Sequence, residues 1–284
     1  MTRIGVQAMM LKDEFAELGP FETLRRVRAI GYRAVEVSQI PMTAANVDEL
    51  ARAREELGME VAALSASLTP GPGGDSLTHD LDKIVRDAER LGTRNIRIGM
   101  LPLEATASLE ALLQFCDHSD ESARVLAAHG LRLSYHNHHI EFARHEGRFL
   151  LDVIADRAPH LALEIDVHWV QRGGLDPVRT LQKYGARVAM VHLKDYRIGS
   201  LPEQAVTALA AGDTAAFQAA FSGVVQFAEV GEGNLDFASI VPTAVAIGAD
   251  YLLVEQDERY GRSPLECLAT SHDNLEALGF GSLF

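Results

Sequence analysis

Cysteine is almost missing: Cys116 and Cys267 are the only two in 284 residues. They lie far apart and outside any CxxC spacing, which argues against a disulfide framework or a zinc ribbon. Cys116, inside the helical pattern ALLQFCDHSDESARVLAAHG, reads as a buried free thiol. No apolar run approaches the roughly 18 residues of a membrane span, and the opening MTRIGVQAMMLKDEF does not read as a secretory leader. Neither a G-x-G-x-x-G turn nor a Walker turn follows the early runs RIGVQA and AVEVS, which disfavours an open dinucleotide-binding sheet. The glycine-rich TPGPGGDS (69–76) lacks both spacings and reads as a loop. Basic charge is also short. With 26 Lys and Arg against 40 Asp and Glu, the formal net charge is −14, so the surface repels phosphate backbones and anionic lipid. The expectation is a cytoplasmic protein with neither a nucleic-acid nor a membrane partner.

What the chain does have is apolar material, 47% of its residues, arranged in a repeating rhythm. Short β-branched runs alternate with longer amphipathic stretches. The expected strands are RIGVQA (3–8), AVEVS (34–38), VAALSAS (61–67), NIRIGM (95–100), LRLSYH (131–136), LALEID (161–166), RVAMVHL (187–193) and YLLVEQ (251–256). Helical patterns fall between them at Phe21–Ile30, Val47–Leu57, Leu77–Leu91, Leu109–His129, Phe149–Arg157, Pro177–Tyr184, Phe237–Ile247 and Pro264–Leu278. Gly31, Gly58, Gly92, Gly130 and Gly248 stand where helices must stop before the next strand. Eight strand–helix units in a chain near the roughly 250 residues typical of such folds predict a single-domain (β/α)8 TIM barrel, an α/β fold. One connection is too long: residues 197–232, after the seventh strand, contain PEQAVTALAAGDTAAFQAAF, which reads as one or two short helices. Such an insertion at the active-site face is a lid, an oligomer contact or decoration.

Chemistry-bearing residues gather at the ends of the later strands: SYHNHHIEF (134–142), EIDVHW (164–169), VHLKD (191–195) and VEQDE (254–258). In a barrel those ends converge on one mouth. Singly, each has an ordinary explanation: Asp166 as a helix cap, His192 as a structural histidine, Glu255 as a surface acid. Four adjacent strands each ending this way point instead to a shared site. Carboxylates with an imidazole suit Mn²⁺ first, with Mg²⁺, Co²⁺ or Zn²⁺ as alternatives. An ion there would polarise a sugar carbonyl for removal of the neighbouring proton.

YHNHHIEF (135–142), LALEIDVHWVQRGGLDPVRTLQKYGARVAMVHLKD (161–195), EVGEGNLDF (229–237) and YLLVEQD (251–257) together resemble the sugar phosphate isomerase/epimerase group of the xylose-isomerase-like TIM barrels. The resemblance covers most of 131–257; the first half matches only in its strand–helix rhythm. It implies one divalent metal held by Glu141, Asp166, His192 and Glu255, with His136 the alternative to Glu141 on strand five. It also implies a homo-oligomer.

The remaining side chains become candidates around that centre. His138 is the first choice of base, beside a ligand and titrating near neutrality; His136 and His168 follow. Any of the three has an alternative role in orienting a ligand. Lys194 would neutralise a developing enolate oxygen or pair with Asp195. Glu36 would hydrogen-bond substrate hydroxyls or serve structure alone, and Trp169 would face sugar C–H groups or pack the wall. Lys194, Arg172 and Arg197 are the only obvious cations for a phosphate. The Gly173-Gly174 pair reads as a turn before the helix at Pro177.

These features lead to a metal-dependent isomerase or epimerase acting on a small sugar or keto-sugar through an enediolate. The alternative is a lyase or dehydratase that eliminates a β-substituent from the same enolate, as with inososes and 3-keto-glycosides. A metal-dependent DNA endonuclease would need more metal-binding residues in the first half and a basic groove. A non-catalytic sugar-binding relative would not need the full Asp166, His192 and Glu255 set.

Overall fold

A computed structural model describes the chain over residues 2–71 and 74–284. Residues 72 and 73 of the TPGPGGDS stretch lie outside the described residues; the flanking Gly71 and Gly74 form an isolated bridge. Eight parallel strands close a barrel: β1 (Arg3–Gln7), β2 (Ala34–Val37), β3 (Glu60–Ser65), β4 (Asn95–Ile98), β5 (Arg132–His136), β6 (Ala162–Asp166), β7 (Val188–Leu193) and β8 (Tyr251–Val254). Each pairs with its sequence neighbours. Closure comes from β1, whose Val6 lies opposite Val35 of β2 on one side and Val254 of β8 on the other.

The intervening helices are α1 (Lys12–Ile30), α2 (Ala44–Leu57), α3 (Leu81–Leu91), α4 (Leu109–Ala128), α5 (Leu150–Arg157), α6 (Val167–Arg172), α7 (Pro177–Tyr184), α8 (Glu203–Ala210), α9 (Thr214–Ser222), α10 (Phe237–Ala246) and α11 (Pro264–Ala277). Their ends follow from local chemistry. Ser263 and Glu266 form a reciprocal capping box on α11 with Pro264 as its first residue, a cap worth about 1 kcal/mol. Asp176 caps α7 ahead of Pro177. The helix expected from Phe21 instead continues a segment beginning at Lys12, broken at Gly19 (φ 78°, ψ 164°) just before Pro20. Proline interrupts the hydrogen-bond ladder there, so the sequence reading found only the second half. Similarly, α3 begins at Leu81, because Leu77–Asp80 form turns.

The main core lies between barrel and helices, where Leu24, Leu50, Ile84, Leu126, Ile154, Leu181, Ile240 and Leu268 are buried. A small second cluster of Ala62, Ala63, Ala189, Met190 and Leu253 is separate from it. Cys116 and Cys267 are buried, unpaired thiols, and burial pushes both up to about 12. No helix among the described residues is long and apolar enough to cross a membrane.

Beyond β7 the chain forms a two-stranded antiparallel ribbon, Asp195–Ile198 with Val225–Ala228, and α8 and α9 lie between its arms. The 197–232 insertion, expected to hold one or two short helices, holds two. The ribbon at their root was not anticipated.

Candidate metal and substrate site

Alternate strands of such a barrel contribute side chains to common interior layers. Here one layer is polar. Arg97 of β4 reaches across to Glu164 of β6 (Nε–Oε2 2.6 Å) and Glu36 of β2 (Nε–Oε1 3.0 Å). His192 of β7 places Nε2 3.2 Å from Glu36 and 3.3 Å from Glu164. His136 of β5 places Nδ1 3.2 Å from Glu164, its register partner. All five are buried. Buried charge persists only when paired, and here the pairing is collective. Burial pushes Glu36 up to about 7, with Arg97 opposing and Glu164 adding to the rise.

Towards the C-terminal ends of the strands lie Asp166, Lys194 and Glu255. Asp166 stands in register with His192. One of its oxygens, Oδ1, caps α6 by accepting from the amides of His168 (2.9 Å) and Trp169 (3.1 Å). The other, Oδ2, has no aligned hydrogen-bond donor; it lies 3.1 Å from Lys194 Nζ and 3.9 Å from His136 Nε2. Asp166 is thus both the cap and a site residue. Glu255 Oε2 sits 2.5 Å from His192 Nδ1 and 3.0 Å from Lys194 Nζ. His136, Asp166, His192 and Glu255 each offer a ligand atom, and those atoms all lie within 4.8 Å of one another.

The electrostatic surplus here is negative. Four buried carboxylates, Glu36, Glu164, Asp166 and Glu255, face two permanent cations, Arg97 and Lys194. Burial pushes Asp166 up to about 6, with Lys194 opposing and Glu255 adding. Burial disfavours the charged form of His192, but Glu164, Glu36 and Glu255 outweigh it and hold that imidazole well above its ordinary range. His136 has no such surplus of acids: burial and then His192 hold it well below.

Glu141 lies outside this group. One of its oxygens accepts from the Tyr135 hydroxyl and the other from the backbone amide of His138 (2.8 Å). The β5 member of the converging set is His136, the alternative named from sequence. Asn137, between the two histidines, accepts from the Asp166 amide (3.1 Å) and ties β5 to β6. His138 does not titrate near neutrality. Burial, then Lys194, push it down to about 4, leaving a neutral ring whose buried Nδ1 has no partner.

Lys194 does not pair with Asp195. Its ammonium lies among Asp166, Glu255 and Asp257, the last 3.1 Å away. Asp195 instead organises the insertion's return, accepting from the amides of Tyr196, Gly231, Gly233 and Leu235. A Cβ at Gly233 would lie 2.3 Å from both the Asp195 carboxylate and the Tyr196 carbonyl, so only glycine fits there. The ribbon carries Tyr196 and Phe227 to His168, with ring centroids 5.5 and 4.9 Å away. His168 is buried with both ring nitrogens unpartnered, and burial followed by Lys194 pushes it down to about 3. Trp169 meets His168 edge-on, with 84° between the rings, and His138 at a 41° tilt. Arg197 turns to Gln226 (3.3 Å), and Arg172 is exposed.

A cavity of about 550 Å³ opens at this mouth. His136, His138, Lys194, Glu255 and Asp257 line one side; Gln7, Ser38, Gln39, Ser65 and Arg97, from the first four strands and the loops after them, line the other. Glu36, Asp166, His168, Trp169 and Arg197 are not among its lining residues. Sequence reasoning missed Arg97, Glu164, Asn137, Asp257 and this polar first-half rim. The available signal was a charged residue inside an apolar strand, NIRIGM and LALEID alike, which needs a buried partner. A second cavity, about 800 Å³, is lined by Gly92–Asn95, Gly130–Arg132 and Asp250–Tyr251, at the N-terminal ends of strands and away from these groups.

Comparison with known proteins accords with the barrel fold. No curated protein sequence matches the chain. Among solved structures, a sugar phosphate isomerase/epimerase from Parabacteroides distasonis superposes with a TM-score of 0.71 at 19% identity, covering 98% of this chain and 95% of that one. An L-ribulose 3-epimerase gives 0.67 at 17% identity, over 100% and 96%. A 3-keto-D-glucoside 4-epimerase from E. coli gives 0.66 at 16% identity, over 98% and 99%. At these identities the likeness is one of fold. The family model for the xylose isomerase-like TIM barrel matches residues 24–278. The chain belongs to the xylose isomerase-like TIM barrel family.

Proposed function

We propose that this chain is a divalent-metal-dependent isomerase or epimerase acting on a small, unphosphorylated sugar or keto-sugar. The observation that carries the reading is the convergence of His136, Asp166, His192 and Glu255 within 4.8 Å. The donors fit such an ion: two carboxylates and two imidazoles, Asp166 Oδ2 without an aligned donor, and a negative surplus around them. That set suits Mn²⁺ or a neighbouring divalent ion. When bound, the ion supplies Lewis-acid polarisation of a substrate carbonyl.

The chain's own groups do the rest. His138, neutral and lining the cavity, accepts a proton from the carbon beside that carbonyl. Returning it to the former carbonyl carbon completes isomerisation, whereas epimerisation takes its new proton on the opposite face of the first carbon. Glu141 fixes the backbone at His138, and so positions the base. Lys194 brings positive charge against the enediolate oxygen that develops. Ser38, Ser65, Gln7 and Gln39 offer neutral hydrogen-bonding groups to hydroxyls. An unphosphorylated substrate is the reading the cavity's charges support: of its two cations Arg97 is held by Glu36 and Glu164, and Lys194 is taken up by the enediolate oxygen, which leaves no cation for a phosphate.

The test is solvent deuterium uptake by ketoses, inososes and 3-keto-glycosides incubated with the metal-analysed protein. Exchange without loss of water or of a glycosyl group supports isomerisation. A conjugated, ultraviolet-absorbing product turns the assignment to elimination from the same enolate. No exchange in any of the three classes contradicts the proposal.

A further inference from the structure

The cavity is wider than a single sugar needs. At ~30 Å³ per water-sized group, 550 Å³ takes roughly 18 such groups, more than the dozen or so non-hydrogen atoms of a hexose. Part of the cavity's lining is apolar. Leu68, from the loop after β3, Ile98 and Met100, at the end of β4 and just beyond it, Pro102 and Phe115 line the cavity. This side carries no free charge, because its one cation, Arg97, is committed to Glu36 and Glu164. Ser67, next to Leu68, spends its hydroxyl on the Thr69 carbonyl (2.7 Å). The apolar surface also continues outward: Met100 is 52% exposed and Leu103 68% exposed. An exposed thioether at the rim of a concave, partly apolar site is placed to cover a ligand.

We infer that the β3–β4 side of the mouth is a second subsite that receives the apolar, aryl or alkyl, aglycone of a glycoside whose sugar ring occupies the polar half. A second sugar ring fits this side less well, since beyond Ser65 and Thr69 its hydroxyls would meet Leu68, Ile98, Met100 and Pro102. The inference rests on the proposed sugar chemistry for the polar half and narrows its substrate class to glycosides with an apolar leaving or retained group.

The experiment titrates the purified protein with methyl β-D-glucopyranoside and phenyl β-D-glucopyranoside, read by calorimetry or saturation-transfer NMR. The wild type is expected to bind the phenyl glycoside at least about tenfold more tightly, the effect of burying one aromatic ring. Met100→Ser, at an exposed position, is expected to cut that preference to about threefold or less, and Met100→Leu to restore it. Equal affinities, no measurable binding of either glycoside, or an unchanged preference in Met100→Ser overturns the subsite. Deuterium uptake by a free ketose, followed in parallel, reports the catalytic reading on its own. Uptake with no glycoside preference removes only the subsite; a glycoside preference with no uptake removes only the chemistry.

Discussion

The Glu141 carboxylate accepts the backbone N–H of His138 at 2.8 Å while its other oxygen holds the Tyr135 hydroxyl. A buried acid committed to two donors is a poor candidate for binding an ion and a good one for fixing a loop. Glu141→Gln is therefore expected to retain the metal content of the wild type while lowering kcat by about tenfold to a hundredfold through a mispositioned His138. Elemental analysis beside steady-state kinetics checks this. Loss of bound metal in Glu141→Gln would instead make Glu141 the β5 ligand.

Arg97 of β4 joins β2 and β6 through the barrel interior. Arg97→Met removes the permanent counter-charge of Glu36 and Glu164 and leaves them to the His192 imidazole, and is expected to cost about 3–5 kcal/mol in unfolding free energy. Urea denaturation measures it. Adding Glu164→Gln should recover part of the loss, since removing one acid relieves the repulsion.

Asp120 of α4 accepts from the His160 amide (2.8 Å) and from Arg124 (2.6 Å). Burial raises its pKa, but those partners outweigh burial and the net shift is downward. Its contribution is complete above the unfolded value near about 4 and fades as pH falls through the lower folded value. Arg124 is exposed, so the contribution is about 1 kcal/mol. Asp120→Asn should therefore be less stable than wild type at pH 7, with the gap closing below about pH 4. A gap that persists unchanged into acid would show that the carboxylate's charge is irrelevant.

The barrel was readable from sequence because its signals are local. Each strand is a short β-branched run, and Gly31, Gly58, Gly92, Gly130 and Gly248 all adopt positive φ where the reading needs a stop. Asp166, His192 and Glu255 were readable for the same reason: each ends such a run. What escaped is non-local or does two jobs at once. The helix α6 starts without a linker because Asp166 ends β6 and caps α6 together. The pairing of Arg97 with Glu36 and Glu164 spans the barrel, and nothing in NIRIGM names its partners. His138 was expected to titrate near neutrality because its letters do not reveal burial or the Lys194 ammonium. The ribbon that brings Phe227 to His168 joins residues on either side of two helices, so its pairing depends on a closure the sequence does not spell out.

The proposed activity depends on His136, Asp166, His192 and Glu255 sharing one ion. Calorimetric titration of metal-free protein with Mn²⁺, repeated on His192→Ala and Glu255→Gln, addresses that claim most directly. The predicted result is one ion per chain in the wild type, no measurable binding and no activity in either variant, and circular dichroism that shows both variants folded. Wild-type Mn²⁺ affinity in both variants, or a wild type that binds no divalent ion at all, would contradict it.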